Sequence, residues 1–153
     1  MKDQPGSFPK VGVAVIIMRE KQVLLLRRRN SHGAGSWAVP GGHLEFGESP
    51  EQCGARETHE ESGLKVSGLR FFALTNDVFE RENKHYITIW LLAEDFSGEP
   101  MMNAPEEMSD IAWFQWDHLP TPLFLPFQNL LDGKSLPADA LQNQLRAVYS
   151  PVS

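Results

Sequence analysis

Cysteine is nearly missing from the 153 residues, with Cys53 standing alone. A single cysteine excludes an intrachain disulfide framework and any zinc site built on several thiolates, and it suits a reducing compartment. Long hydrophobic runs are missing as well. The longest, Val11 to Met18, falls well short of the ~20 residues that span a bilayer. Because Arg19, Glu20 and Lys21 follow it, the run reads as a strand and not as a signal peptide. These absences predict a cytoplasmic protein with no membrane partner. Positive charge is scarce too, with 14 Lys and Arg against 20 Asp and Glu and a net charge of -6. Basic residues that neutralise phosphates supply most of the affinity for long nucleic acid, so this balance predicts no such partner.

What is present points to one globular domain over residues 1–153, long enough for a self-sufficient core. Residues 1–9 read as a loose polar lead-in and residues 135–153 as a helical tail. Lys10 to Met18 and Gln22 to Arg29 have the apolar content of paired strands. Asn30 to Glu48 then carries so many Gly and Pro breakers that it reads as loop. Gly68 to Phe79, Lys84 to Glu94 and Ile111 to Trp116 are rich in aromatic and β-branched residues and read as strands. Leu123 to Leu131 and Ala138 to Tyr149 have helical spacing. The order gives an α+β domain.

The helix that opens at Ser49-Pro50-Glu51-Gln52 is the unusual element. Ser is placed as N-cap, Pro at the first turn, Gln to close a capping box, and Gly63 to end it. Yet Cys53 and Ala55 are its only apolar residues, which leaves little to bury. At 100° per residue, Glu57, Glu60 and Glu61 share one arc of about 100°. Like charges three and four apart repel, and they crowd the helix end where the macrodipole favours cations. A hard divalent cation such as Mg²⁺, with Mn²⁺ as the alternative, removes these objections and shares its remaining positions with waters or phosphates. The acidic imbalance is itself local, since residues 42–64 hold six acids and one base.

Gly42 to Leu64 fits the pattern G-x5-E-x7-R-E-U-x-E-E-x-G-U, with Thr58 standing where the pattern prefers an aliphatic residue. By this pattern the chain is identified as resembling the Nudix hydrolase family. The run VLLLRRRNSHGAGSWAVPGGHLEFGES, with HYITI, the PEE loop and LPTPLF, is similar to its MutT-related nucleoside triphosphate diphosphatases over about residues 10 to 130. The resemblance implies a mixed β-sheet flanked by helices, an α/β/α sandwich with a loop-helix-loop box. It implies metal ligation by Glu57, Glu60 and Glu61, a carbonyl of Gly41 or Gly42, and a later carboxylate, Glu106 or Glu107. It also implies an Arg56–Glu48 ion pair that fixes the helix to its loop. Glu60 or Glu57 is the expected proton acceptor, and Glu61 the firmest ligand.

The implied reaction is Mg²⁺-dependent hydrolysis of a nucleoside triphosphate to the monophosphate and pyrophosphate. The alternatives are hydrolysis of a nucleoside diphosphate linked to another group, as in nucleotide sugars or ADP-ribose, and a nucleotide sensor without turnover. Arg28 is set by strand alternation opposite Arg27 and Arg29 and is the expected phosphate or ribose contact. Thr88, Leu123 and Phe124 are candidates for the base pocket, each weighed against a purely structural role. Gln128 and Asn129 are amide readers without specific support, and a homodimer is left open. The histidines lack zinc spacing, and Cys53 reads as a packing residue.

Overall fold

The computed structural model describes residues 7–149, and side chains from residue 7 to residue 144. Residues 1–6 and 150–153, parts of the expected lead-in and tail, lie outside the described residues. Among the described residues, nine strands and three helices build the mixed sheet flanked by helices that the sequence predicts.

The larger sheet has the order β5 (Gly41–His43), β1 (Lys10–Ile16), β7 (Lys84–Ser97), β6 (Lys65–Phe79), β9 (Ser135–Leu136). β1 runs parallel to β7, and the other neighbours are antiparallel. In the smaller sheet β3 (Gln22–Arg28) pairs along its length with β8 (Met108–Gln115) and also with the short β2 (Met18–Arg19) and β4 (Trp37–Ala38).

Directly paired residues share a face of a sheet. His43 faces Gly12, Gly12 faces Thr88, and Thr88 faces Thr75, so these four form one row across β5, β1, β7 and β6. Tyr86 and Asp77 stand in the adjacent row with Lys10. Val13, Val15 and Leu91 alternate onto the opposite face, where helix α1 (Pro50–Ser62) packs.

α1 is capped as expected. Ser49 Oγ accepts from the Gln52 amide, Gln52 Oε1 accepts from the Ser49 amide, and Gly63 ends the helix in the left-handed region at φ 76°. The helix buries more than its few apolar residues suggest, because Cys53, Gly54, Thr58, Glu61 and Ser62 are all buried. A side chain on Gly54 would stand 2.9 Å from Val15 Cγ2 and 3.1 Å from Leu91 Cδ1, so the absence of a Cβ lets the helix lie close on the sheet.

The Gly-rich stretch differs from the sequence expectation. It contains β4 and β5, whose hydrogen bonds go to β3 and β1. The tail contains β9 ahead of α3 (Ala140–Tyr149), and α2 spans Leu125–Leu131. Among the described residues no helix is long and apolar enough to cross a membrane.

Candidate active site

A cleft of about 430 Å³ opens over the face that carries the Gly12–Thr88 row. Glu57, Glu61, Glu106, Glu107, Gly41 and Gly42 line it in one region, and His32, His43, Phe79, Tyr86 and Phe124 supply its rings.

Glu61 is buried, and Gly41 N–H donates to its Oε1 at 2.9 Å. Burial holds its carboxyl well above the usual carboxylate range, with the Glu57 and Glu107 charges adding to the shift. Burial raises Glu57 as well, against the pull of Arg56. Gly42 has no Cβ because the Glu57 carboxylate occupies that space. Two carboxylates one helical turn apart on the cleft wall form a hard-oxygen pair that fits a divalent cation. Among the described residues no three acidic, His or Cys side chains already converge as a metal cage. A cation here would therefore draw on carbonyl, water or phosphate oxygens to complete its shell.

Arg56 fixes the helix to the preceding loop. Its Nε donates to Glu48 Oε2 at 2.7 Å and its Nη2 to Glu48 Oε1 at 3.0 Å, a two-pronged pair. Its Nη1 donates to Glu57 Oε1 at 2.9 Å and reaches Glu60 Oε2 at 3.4 Å. The guanidinium holds the Glu48 carboxyl down at about 2. Glu60 stands apart from the cleft lining, with its side chain 56% exposed.

The PEE loop is tied to the end of β3. Arg29 N–H donates to the Glu107 carbonyl at 2.9 Å, and Asn30 Nδ2 donates to the Glu106 carbonyl at 2.9 Å. Both acids line the cleft, and the Glu107 charge is the one felt by Glu57, Glu61 and Arg28.

Arg28 lines the cleft, while Arg27 is exposed and bonds the Gly35 carbonyl at 3.1 Å. The Arg28 guanidinium lies 4.0 Å from the Phe124 ring centroid and donates to the His32 carbonyl and Ser31 Oγ, each at 3.0 Å. Burial lowers its pKa below the ordinary guanidinium value. Thr88 and Phe124 reach the cleft, whereas Leu123 packs against the core and bridges Trp37. Gln128 is exposed and donates to Asp132, and Asn129 is buried against Asp77.

Apart from Phe124, the rings are the part that the sequence expectation missed. His32 lies parallel to Tyr86 at 5.3 Å between centroids and edge-on to Phe79 at 4.8 Å. Burial, aided by the Arg28 charge, lowers His32 to about 4, and burial lowers His43 as well. His32 is therefore neutral at neutral pH, and the site pairs an acidic region with an uncharged aromatic wall.

The NUDIX domain family model matches residues 8–132. The chain belongs to the Nudix hydrolase family. It is 35% identical over 116 residues to the NAD-capped RNA hydrolase NudC of Vibrio vulnificus, which covers 76% of this chain and 41% of that one. Against the NudC of Edwardsiella ictaluri the identity is 32% over 118 residues, covering 76% and 44%. The chain thus spans about two-fifths of the length of these relatives. Among solved structures, the MutT NUDIX hydrolase from Burkholderia pseudomallei matches with a TM-score of 0.74 at 31% identity, over 77% of this chain and 92% of that one. The MutT protein from Methanosarcina mazei matches with a TM-score of 0.69 at 28% identity, over 81% and 91%.

These relatives correct one expectation. The acidic balance predicts no long nucleic-acid partner, yet the NudC relatives are named for capped RNA. Net charge fails as a criterion because the acids concentrate around α1, while Lys10, Arg28, Arg29 and Lys84 line the cleft.

Proposed function

We propose that the chain hydrolyses the phosphoanhydride of a nucleoside diphosphate linked to another group, releasing a nucleoside monophosphate and the phosphorylated remainder. The observation that carries this reading is a cleft that joins the Glu57–Glu61 carboxylates to an aromatic wall through Arg28. The 35% identity to a hydrolase of NAD-capped RNA supports a linked diphosphate over a triphosphate, because NAD is two nucleotides joined by such a bond.

Glu57, Glu61 and Glu107, with the Gly41 or Gly42 carbonyl, are the residues suited to hold Mg²⁺, with Mn²⁺ as a substitute. The cation would neutralise phosphate oxygens and acidify a bound water. Arg28 offers a guanidinium to the diphosphate, packed against the Phe124 ring at 4.0 Å. Glu57, which lines the cleft where Glu60 does not, accepts the proton of the attacking water. Arg56 and Glu48 keep the helix and the loop in register beneath the carboxylates.

A triphosphate substrate, releasing pyrophosphate, is the second reading, and the 31% identity to a MutT NUDIX hydrolase favours it. The test is a panel of NAD, NAD-capped RNA, ADP-ribose, nucleotide sugars, NTPs and dNTPs, assayed with Mg²⁺ and with products identified by mass. Nucleoside monophosphate plus a phosphorylated partner from the conjugates is the expected result. Pyrophosphate released from triphosphates alone would replace it with the second reading.

A further inference from the structure

Asp77 lies near the C-terminal end of β6 with no exposed surface, and its hydrogen-bond partners are neutral. Thr88 Oγ1 donates to its Oδ2 at 2.6 Å, Thr75 Oγ1 to the same oxygen at 2.9 Å, and Asn129 Nδ2 to Oδ1 at 2.9 Å. Trp90 Nε1 donates in turn to Thr75 Oγ1 at 2.9 Å. A threonine hydroxyl has one proton, so once Thr88 has given its proton to Asp77, only its lone pairs remain for a ligand. The Trp90 N–H is committed in the same way.

This hydroxyl borders the cleft. A Cβ on Gly12 would stand 3.7 Å from Thr88 Oγ1, and both residues line the cavity. Across the sheet, His43, Gly12 and Thr88 are successive partners, which places Thr88 two strand spacings, about 10 Å, from β5 and the Gly41–Gly42 region. A nucleotide with its phosphates at that region would bring the edge of its base over Gly12 and Thr88, beside the Tyr86 ring.

We propose that Asp77 is a positioning residue that fixes Thr88 as a hydrogen-bond acceptor, so that the cleft selects a nucleobase presenting an N–H donor to its floor. The inference rests on the nucleotide reading of the cleft. A base with only acceptors on that edge would leave both its own lone pairs and those of Thr88 unpaired and desolvated.

Binding of nucleoside monophosphates, the product common to both readings of the reaction, tests it without turnover. With Mg²⁺ present, calorimetry compares AMP and GMP with purine riboside 5′-monophosphate, and CMP with pyrimidin-2-one riboside 5′-monophosphate, analogues that lack the amino group and any ring N–H. For whichever series binds, the parent is expected to bind at least ~10-fold more tightly than the analogue. Thr88→Ser should keep that ratio. Thr88→Val, which retains shape and leaves Asp77 its other two donors, should reduce it to under ~3-fold, as should Asp77→Ala, which takes away the acceptor and frees the Thr88 hydroxyl to donate. Should Asp77→Ala fail to fold, Thr88→Val carries the comparison. Parent and analogue binding equally to the wild type would overturn the acceptor assignment while the nucleotide reading stands. A ratio preserved in Thr88→Val would also overturn it. Failure of every monophosphate to bind would overturn both.

Discussion

Thr58 shows how one side chain can depart from a pattern without disturbing the chemistry next to it. It is buried on the inner face of α1, and its hydroxyl has no hydrogen-bond partner. Thr58→Val removes that orphan at nearly constant volume and should stabilise the protein by about 1 kcal/mol, read as a higher urea midpoint with an unchanged slope. Glu48 shows the opposite case, a satisfied charge. Its carboxyl is held near 2, below its ordinary 4.5, by Arg56. A depressed folded value means that the pair's contribution is complete above about pH 4.5 and is lost as pH falls towards 2. Stability curves should show this loss in the wild type and a flatter profile over the same window in Glu48→Gln. Glu57, Glu61 and the Arg56–Glu48 pairing were legible because they sit at fixed spacing on one short segment. His32, Phe79 and Tyr86 were not, since His32 comes from the turn after β3, Phe79 from β6 and Tyr86 from β7, and they meet only in the folded chain. Asp77 left a faint signal, an aspartate inside a strand where aspartate is disfavoured.

Elements with their own chemical punctuation were readable in advance. α1 announced both ends through Ser49, Pro50, Gln52 and Gly63, and the long strands β6 and β7 announced themselves by composition. The short strands β4, β5 and β9 did not, because two or three residues carry no periodicity and their regularity is imposed by the neighbour they pair with. The packing of α1 supplies a prediction at this scale. Helix propensity alone favours alanine over Gly54 by about 1 kcal/mol. The contact with Val15 and Leu91 opposes it, since a Cβ there overpacks the helix against the sheet. Gly54→Ala should therefore destabilise by up to about 2 kcal/mol net, measured by thermal or urea unfolding, despite its better helix propensity.

At the scale of the whole molecule, the two sheets and α1 bring an acidic helix, a glycine edge strand and a wall of rings to one cleft. Glu57, Glu61, Glu106 and Glu107 line this cleft together with Lys10, Arg28, Arg29 and Lys84. A net charge of -6 is therefore a poor guide to partners, because cationic side chains line the cleft while the acids concentrate around α1. The most direct measurement is turnover of a diphosphate-linked nucleotide by wild type and Glu61→Gln across a Mg²⁺ titration, with melting temperatures recorded in parallel. The account predicts a loss of at least ~100-fold in the variant with its fold retained. Wild-type turnover with the same Mg²⁺ dependence in Glu61→Gln would contradict it.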